Sequence, residues 1–333
     1  TLRRLKHAVI GQPQDPLAHL PLSTDPCRTC ADPCDEGHDE YPKRFTIDTS
    51  SDMLGSVKPY RRQVVISTGK SDWASEVTFE PSSLAWYLAA AARPSVSAML
   101  SLSGPASGVF KSAEAGKTSI LNGSHHSLSE EGEKETVLVF PDYVAVEDVP
   151  RTRKGADALW ERAVSPAVGR AGAPPADAEV ENEAKMWVLP YVCVILLCSH
   201  KRRDNRCAIA APKLEEAFTQ ALAEHSIAAH TQLDPCAPDP IPPLQAFAVD
   251  AHTRRTAYIT AQFQSAARSE QALILRCSHV GGHKYAGVCT IYTPRGAGIW
   301  YGRVSPHEVP AVVRETVLGG RVLPKLLRGG VDL

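Results

Sequence analysis

Tyr191-Val-Cys-Val-Ile-Leu-Leu197, followed at once by Cys198-Ser-His-Lys-Arg-Arg-Asp-Asn-Arg-Cys207, is the stretch on which the fold turns. An apolar run without a polar break reads as a strand buried on both faces, the pattern of a parallel or mixed sheet in an α/β protein. Cys198 then stands at the carboxyl end of a central strand, where the loops of an open α/β sheet leave a crevice for ligands. Beyond the loop, Leu214, Phe218, Ala221 and Leu222 share one helical stripe. Pro212 is tolerated only near a helix start, so Cys207 is predicted just before the helix or in its first turn. A helix N-terminus favours an anionic thiolate.

Downstream, Ala272–Leu275 reads as another strand and leads into Cys277-Ser-His279-Val-Gly-Gly-His283. Gly281 and Gly282 argue against a helix, so a glycine-bent loop brings the two imidazoles together. No glutamate follows the first histidine, which removes the helical zinc-protease motif. Strands are predicted at Cys289–Tyr292 and Ile299–Tyr301, and an extra one at Thr256–Thr260. Cys236–Pro243 reads as a loop. A last helix starts near Pro306, runs through Val309, Val312, Val313 and Val317, and stops at Gly319-Gly320.

Upstream, residues 45–150 carry a second, smaller α/β pattern with strands at Val64–Ile66 and Val137–Phe140 and a helix over Pro81–Ala92. Gly69-Lys-Ser71 lacks the earlier glycine of a phosphate-binding loop, and Gly104–Gly108 misses the spacing of a nucleophile elbow. Residues 151–185 open with a helical turn around Leu159, Trp160 and Val164, then become a linker. Residues 1–44 form an irregular arm ending in Cys27-x2-Cys30-x3-Cys34-x3-His38. Those four donors suit a tetrahedral zinc ion. The neighbouring Asp32, Asp35, Glu36, Asp39 and Glu40 disfavour thiolates without a metal, so the arm is read as metal-free. The predicted organisation is therefore an arm (1–44), an α/β domain (45–150), a linker (151–185) and a second domain (186–333), as a chain of 333 residues allows.

Lys and Arg number 36 against 37 Asp and Glu, so bulk charge selects neither nucleic acid nor a membrane surface as partner. Nine cysteines in a chain this long do not resemble a disulfide scaffold, and no signal peptide or long apolar segment is seen. A reducing, cytoplasmic setting is expected. Arg3, Arg4, Lys6 and His7 without an acid leave a mitochondrial address as the alternative.

The chemistry therefore concentrates in the 198–207 and 277–283 stretches. Cys198, Cys207, His279 and His283 could hold a metal or an iron–sulfur centre. Cys198-x-His200 and Cys277-x-His279 form a rival, Rieske-like set, less suited because the two pairs have identical spacing and lie far apart. Cys193 and Cys289, on strands, read as apolar core thiols. His125-His126 are expected exposed in a polar loop, and His225, His230, His252 and His307 carry no spacing signal and read as surface or cap residues.

Several motifs carry a resemblance. Cys198-Ser-His-x3-Asp-x2-Cys207, Ser278-His-Val-Gly-Gly-His-Lys-Tyr-Ala-Gly287, Trp300-Tyr-Gly-Arg-Val-x-Pro306 and Leu327-Arg-Gly-Gly330 resemble the sucrase/ferredoxin-like family. Ser56–Tyr60, Thr68–Trp73 and Val139–Asp142 extend the likeness upstream. Val288 departs from it, standing where the family usually has asparagine. The resemblance implies a thioredoxin-like ferredoxin domain at the C-terminus, preceded by a cluster-free domain that packs against it as a second protomer would. It implies a non-Rieske [2Fe–2S] cluster held by Cys198, Cys207, His279 and His283. Neutral histidines in place of two thiolates make the oxidised centre less negative and easier to reduce. The outer nitrogen of each ring can exchange a proton as the charge changes. The chain is thus expected to be an electron carrier or redox sensor rather than an enzyme with its own substrate. Its partners would be redox donor and acceptor proteins and the cluster-assembly machinery, and the chain itself a monomer. No paired carboxylates suggest sugar cleavage. A structural zinc site in a binding module is the alternative.

Overall fold

The computed structural model describes residues 17–31, 34–58, 60–92, 118–166, 168–170, 184–234, 243–244 and 252–333. The basic start, Gly104–Gly108, Cys236 and linker residues 171–183 lie outside them. The first half carries β1 (Arg62–Ser67), α1 (Leu84–Ala91), β2 (Thr118–Gly123), β3 (Lys134–Phe140), β4 (Val144–Pro150) and α2 (Arg153–Leu159), the last prolonged by a π turn over Trp160–Val164. The second half carries β5 (Met186–Val188), β6 (Cys193–Cys198), α3 (Asn205–Ala223), β7 (Ala228–His230), α4 (His252–Ala266) and β8 (Gln271–Cys277). It ends with β9 (Cys289–Tyr292), β10 (Gly298–Tyr301), α5 (Val309–Ala311, continued to Leu318) and β11 (Leu327–Val331).

One mixed sheet runs through both halves in the order β11-β10-β9-β6-β8-β2-β1-β3-β4-β5, with β7 beside β8. Each half repeats one pattern. β6 is parallel to β8 and antiparallel to β9, just as β1 is parallel to β2 and antiparallel to β3. The halves join where β2 meets β8 antiparallel at Gly123 and Cys277. Reciprocal hydrogen bonds close that seam. The Ser124 N–H donates to the Arg276 carbonyl at 2.9 Å and the Ser278 N–H to the Asn122 carbonyl at 2.8 Å. The Ser124 and Ser278 hydroxyls each accept a backbone N–H from the opposite strand at 3.0 Å.

The sheet folds over at this seam. β3 and β9 are five strand steps apart, about 24 Å in a flat sheet at ~4.8 Å per step. Yet Phe140 of β3 and Tyr292 of β9 stack with ring centroids 4.2 Å apart. The inner faces of both halves, from Val65, Leu138 and Phe140 to Val194, Leu196, Tyr292 and Trp300, form one shared core. The outer faces are covered separately. α3 and α5 cover the second half through Leu214, Phe218, Val309 and Val312. α1, α2 and α4 cover the first.

Two expectations are corrected. Thr256–Thr260 is helical, inside α4, where Tyr258, Ile259 and Phe263 pack on the first half's core. Pro212 lies well inside α3 rather than in its first turn. The predicted boundary also runs through a shared structure, since β5 of the second half pairs with β4 of the first.

Candidate metal centre

Because β6 and β8 are parallel, with Cys198 in register with Cys277, the loops after both strands leave from the same end of the sheet. The first loop crosses from Cys198 to α3, whose start is capped by Asp204: its carboxylate accepts the Arg206 N–H at 2.9 Å. Cys207 is the third residue of that helix, in the first turn, where the helix dipole favours a thiolate, and its N–H donates to the Asp204 carbonyl at 3.2 Å. Cys198 is 3% and Cys207 1% exposed, and both lie against Val288 and Val280.

The two thiols oppose each other's ionisation. The hydrogen bond from Cys207 holds Cys198 well below the ordinary thiol range, against the opposing effect of burial, with a further contribution from His279. That bond and burial push Cys207 far up, because its proton is committed to Cys198. Both thiols cannot ionise in this dry pocket unless a cation joins them.

The second loop supplies the imidazoles. The His279 and His283 rings lie 5.4 Å apart, tilted by 36°. Each Nδ1 is buried and has no hydrogen-bond partner. An orphaned buried nitrogen is costly, and two beside a thiol–thiolate pair make a donor set of the kind a soft metal centre takes. The outer Nε2 of His283 lies 3.9 Å from the Asp204 carboxylate, on a side chain 42% exposed.

The loop is held from beneath. Gly281 and Gly282 have φ of +86° and +76°. A Cβ on Gly282 would come within 2.1 Å of the Arg328 guanidinium. Arg328 is fully buried and donates to the Gly281 carbonyl at 3.0 Å and the Ser56 hydroxyl at 3.1 Å. Burial holds it below its ordinary value, and the sulfurs of Cys198 and Cys207 act in the opposite sense.

The rival donors are engaged elsewhere. His200 Nε2 donates to the Trp73 carbonyl at 2.9 Å, and its Nδ1 accepts the His279 N–H at 3.2 Å, so this ring orients His279. Cys277 faces the shared core, its thiol raised by burial and by the charge on Cys198. Cys193 and Cys289 are fully buried, and burial pushes each to about 12.

Two histidines depart from expectation. His125 is fully buried rather than exposed, its Nε2 donating to the Thr136 carbonyl at 3.3 Å, while His126 is exposed. His307 is not a plain surface residue, for it meets Cys30 and Cys34, the donor atoms of all three lying within 4.8 Å of one another. That group, not the four at the strand ends, is the one among the described residues whose donors all lie so close. Nothing in the spacing could have found His307, which is brought to Cys34 across 273 positions of chain.

The sucrase/ferredoxin-like family matches residues 53–329. Altered inheritance of mitochondria protein 32 of Clavispora lusitaniae is 32% identical over 136 residues, 41% of this chain and 34% of that protein. Its counterpart in Debaryomyces hansenii is 33% identical over 141 residues, 41% of this chain and 36% of the other. This chain thus spans about a third of the length of these relatives. Actin patches distal protein 1 of Saccharomyces cerevisiae is 24% identical over 305 residues, 87% of this chain and 78% of that protein. No solved structure matches the chain.

Proposed function

This chain belongs to the sucrase/ferredoxin-like family, and from that premise we propose that it is a one-electron carrier or redox sensor. In this reading Cys198, Cys207, His279 and His283 hold a [2Fe–2S] cluster in a thioredoxin-like second half. When bound, such a cluster supplies a single-electron couple whose potential follows its ligands and surroundings. The observation that carries the reading is the pair of buried, unpartnered Nδ1 atoms together with two thiols buried at the same end of the sheet.

The chain's own groups have separate tasks. Cys198 and Cys207 provide thiolates, and Val280 and Val288 keep water from them. His200 fixes the backbone of His279 through its link to Trp73. His283 presents its Nε2 to the Asp204 carboxylate at 3.9 Å, on a half-exposed side chain. Buried Arg328 offsets negative charge beneath the loop.

The name shared by two of the relatives supports a mitochondrial link beside the cytoplasmic setting. Among the described residues no helix is long and apolar enough to cross a membrane. Metal analysis of variants tests the ligand set. Cys207→Ala and His283→Ala should lose the iron, while His200→Ala should keep it. Full iron in His283→Ala together with loss in His200→Ala would transfer the assignment to the rival donors.

A further inference from the structure

The described part of the N-terminal arm, residues 17–31 and 34–44, is docked on the second half. Leu22 bridges Val322 in parallel, and the Ser23 N–H donates to the Val322 carbonyl at 2.8 Å. The Ser23 hydroxyl donates to Glu315 at 2.8 Å, Arg28 pairs with Glu308, and Arg314 pairs with Asp25. This docking carries Cys30 and Cys34 to His307, in the turn that precedes α5.

Three donors meet there, and a fourth ring lies beside them. His307 Nε2 donates to the Cys34 carbonyl at 2.8 Å, which leaves the ring's other nitrogen with its lone pair. A metal-bound histidine is oriented in this way. The His38 ring lies 5.0 Å from that of His307. Its Nδ1 donates to the Asp39 carbonyl at 2.8 Å, and its Nε2 is buried with no partner. Cys27 is a different case. It is 7% exposed, belongs to the core cluster with Leu20 and Val322, and sits at φ +74° with its N–H bonded to Asp25. The donor set that the spacing suggested, with Cys27 in it, therefore changes by one member.

We propose that Cys30, Cys34, His38 and His307 form a structural zinc site that staples the arm to the turn before α5. The donors of Cys30, Cys34 and His307 already lie within 4.8 Å of one another, and the neighbouring His38 ring would complete the two thiols and two imidazoles of a closed tetrahedral ion. Binding displaces the two thiol protons to solvent, and no redox step is involved. Without an ion, burial and the neighbouring Cys34 hold the Cys30 thiol above its ordinary range, which a cation would reverse. The two thiolates balance the charge of the ion, with both imidazoles neutral.

The staple has a consequence for the other centre. From His38 the arm continues along α3, where Lys213 donates to the Asp39 carbonyl at 2.7 Å and Arg206 to the Thr46 carbonyl at 3.1 Å. It then crosses the histidine loop, the Asp48 N–H donating to the Lys284 carbonyl at 2.7 Å and the Tyr285 hydroxyl to the Asp52 carbonyl at 2.9 Å. A zinc ion at the start of this strap would hold it over both elements that carry the redox ligands. Cys30, Cys34 and His38 lie before the matched family region, which begins at residue 53, and His307 lies within it.

The test uses the full chain carrying Cys198→Ala and Cys207→Ala, so that the redox centre cannot contribute metal. Purified under reducing conditions, it should hold equimolar zinc, and replacement by Co2+ should give the intense visible bands of a tetrahedral thiolate site. Adding Cys30→Ser or His307→Ala should remove the metal, and adding Cys27→Ser should not. On the unmutated chain, a zinc chelator should make Cys30 and Cys34 react with a maleimide, which needs no variant to fold. The proposal is overturned by absence of zinc with no tetrahedral Co2+ spectrum. It is equally overturned by zinc loss in Cys27→Ser with retention in His307→Ala, or by unchanged thiol reactivity on chelation.

Discussion

His200 shows how little a residue's type says about its task. It stands two positions after Cys198 and looks like a ligand, yet both ring nitrogens are spent on backbone groups of two other segments. Replacing it by leucine would leave the Trp73 carbonyl and the His279 N–H buried without partners. We expect a loss of roughly 1–3 kcal/mol in urea unfolding, with the bound metal retained. Gly282 is the converse, chosen for having no side chain. Gly282→Ala meets both a left-handed backbone and the Arg328 guanidinium, so it should destabilise by about 1–3 kcal/mol or more. A melting temperature unchanged from the parent would refute that account. His125 gives a pH prediction. Burial lowers it from the ordinary value of 6.5 to about 4. The unfolded chain therefore takes up this proton below about pH 6.5 and the folded chain only below about 4. Stability from this group is full above that window and falls as pH drops through it, by roughly 3 kcal/mol in total. His125→Phe should lose less stability than the parent between pH 6.5 and 4; identical profiles would be the contrary result.

At the scale of elements, the apolar run before Cys198 and the stripe of α3 were legible, because burial on both faces of a strand and on one face of a helix leaves a direct imprint on sequence. The histidine loop was legible through its glycines. Other elements were not. Thr256–Thr260 is rich in β-branched and aromatic residues, and only the wider spacing of Ile259, Phe263 and Ala266 betrays the helix. Pro212 sits inside α3 because tertiary packing of Leu214, Phe218 and Leu222 outweighs the helical hydrogen bond that proline cannot make. Asp204 begins that helix, and Asp204→Ala should cost about 1 kcal/mol from the lost cap. It also removes the carboxylate facing His283. A chemical-denaturation midpoint equal to the parent's would contradict the capping role.

For the whole molecule, sequence reading divided the chain into halves but could not see the seam. Gly123, Ser124, Cys277 and Ser278 carry no pattern announcing that they pair, and Phe140 and Tyr292 meet only because the sheet folds over. The meeting of His307 with the arm's cysteines was hidden for the same reason, since only tertiary docking joins them. With one inner core drawn from both halves, calorimetry should show a single cooperative transition, and two well-separated transitions would contradict the shared core. The central claim remains the centre at the strand ends. Its most direct test is the visible absorption spectrum of the anaerobically purified full chain, taken together with its iron and acid-labile sulfide. The account predicts a red-brown protein with iron and sulfide in equal amounts, and loss of both colour and iron in Cys198→Ala. A colourless protein without iron, or one whose colour survives Cys198→Ala unchanged, would contradict it.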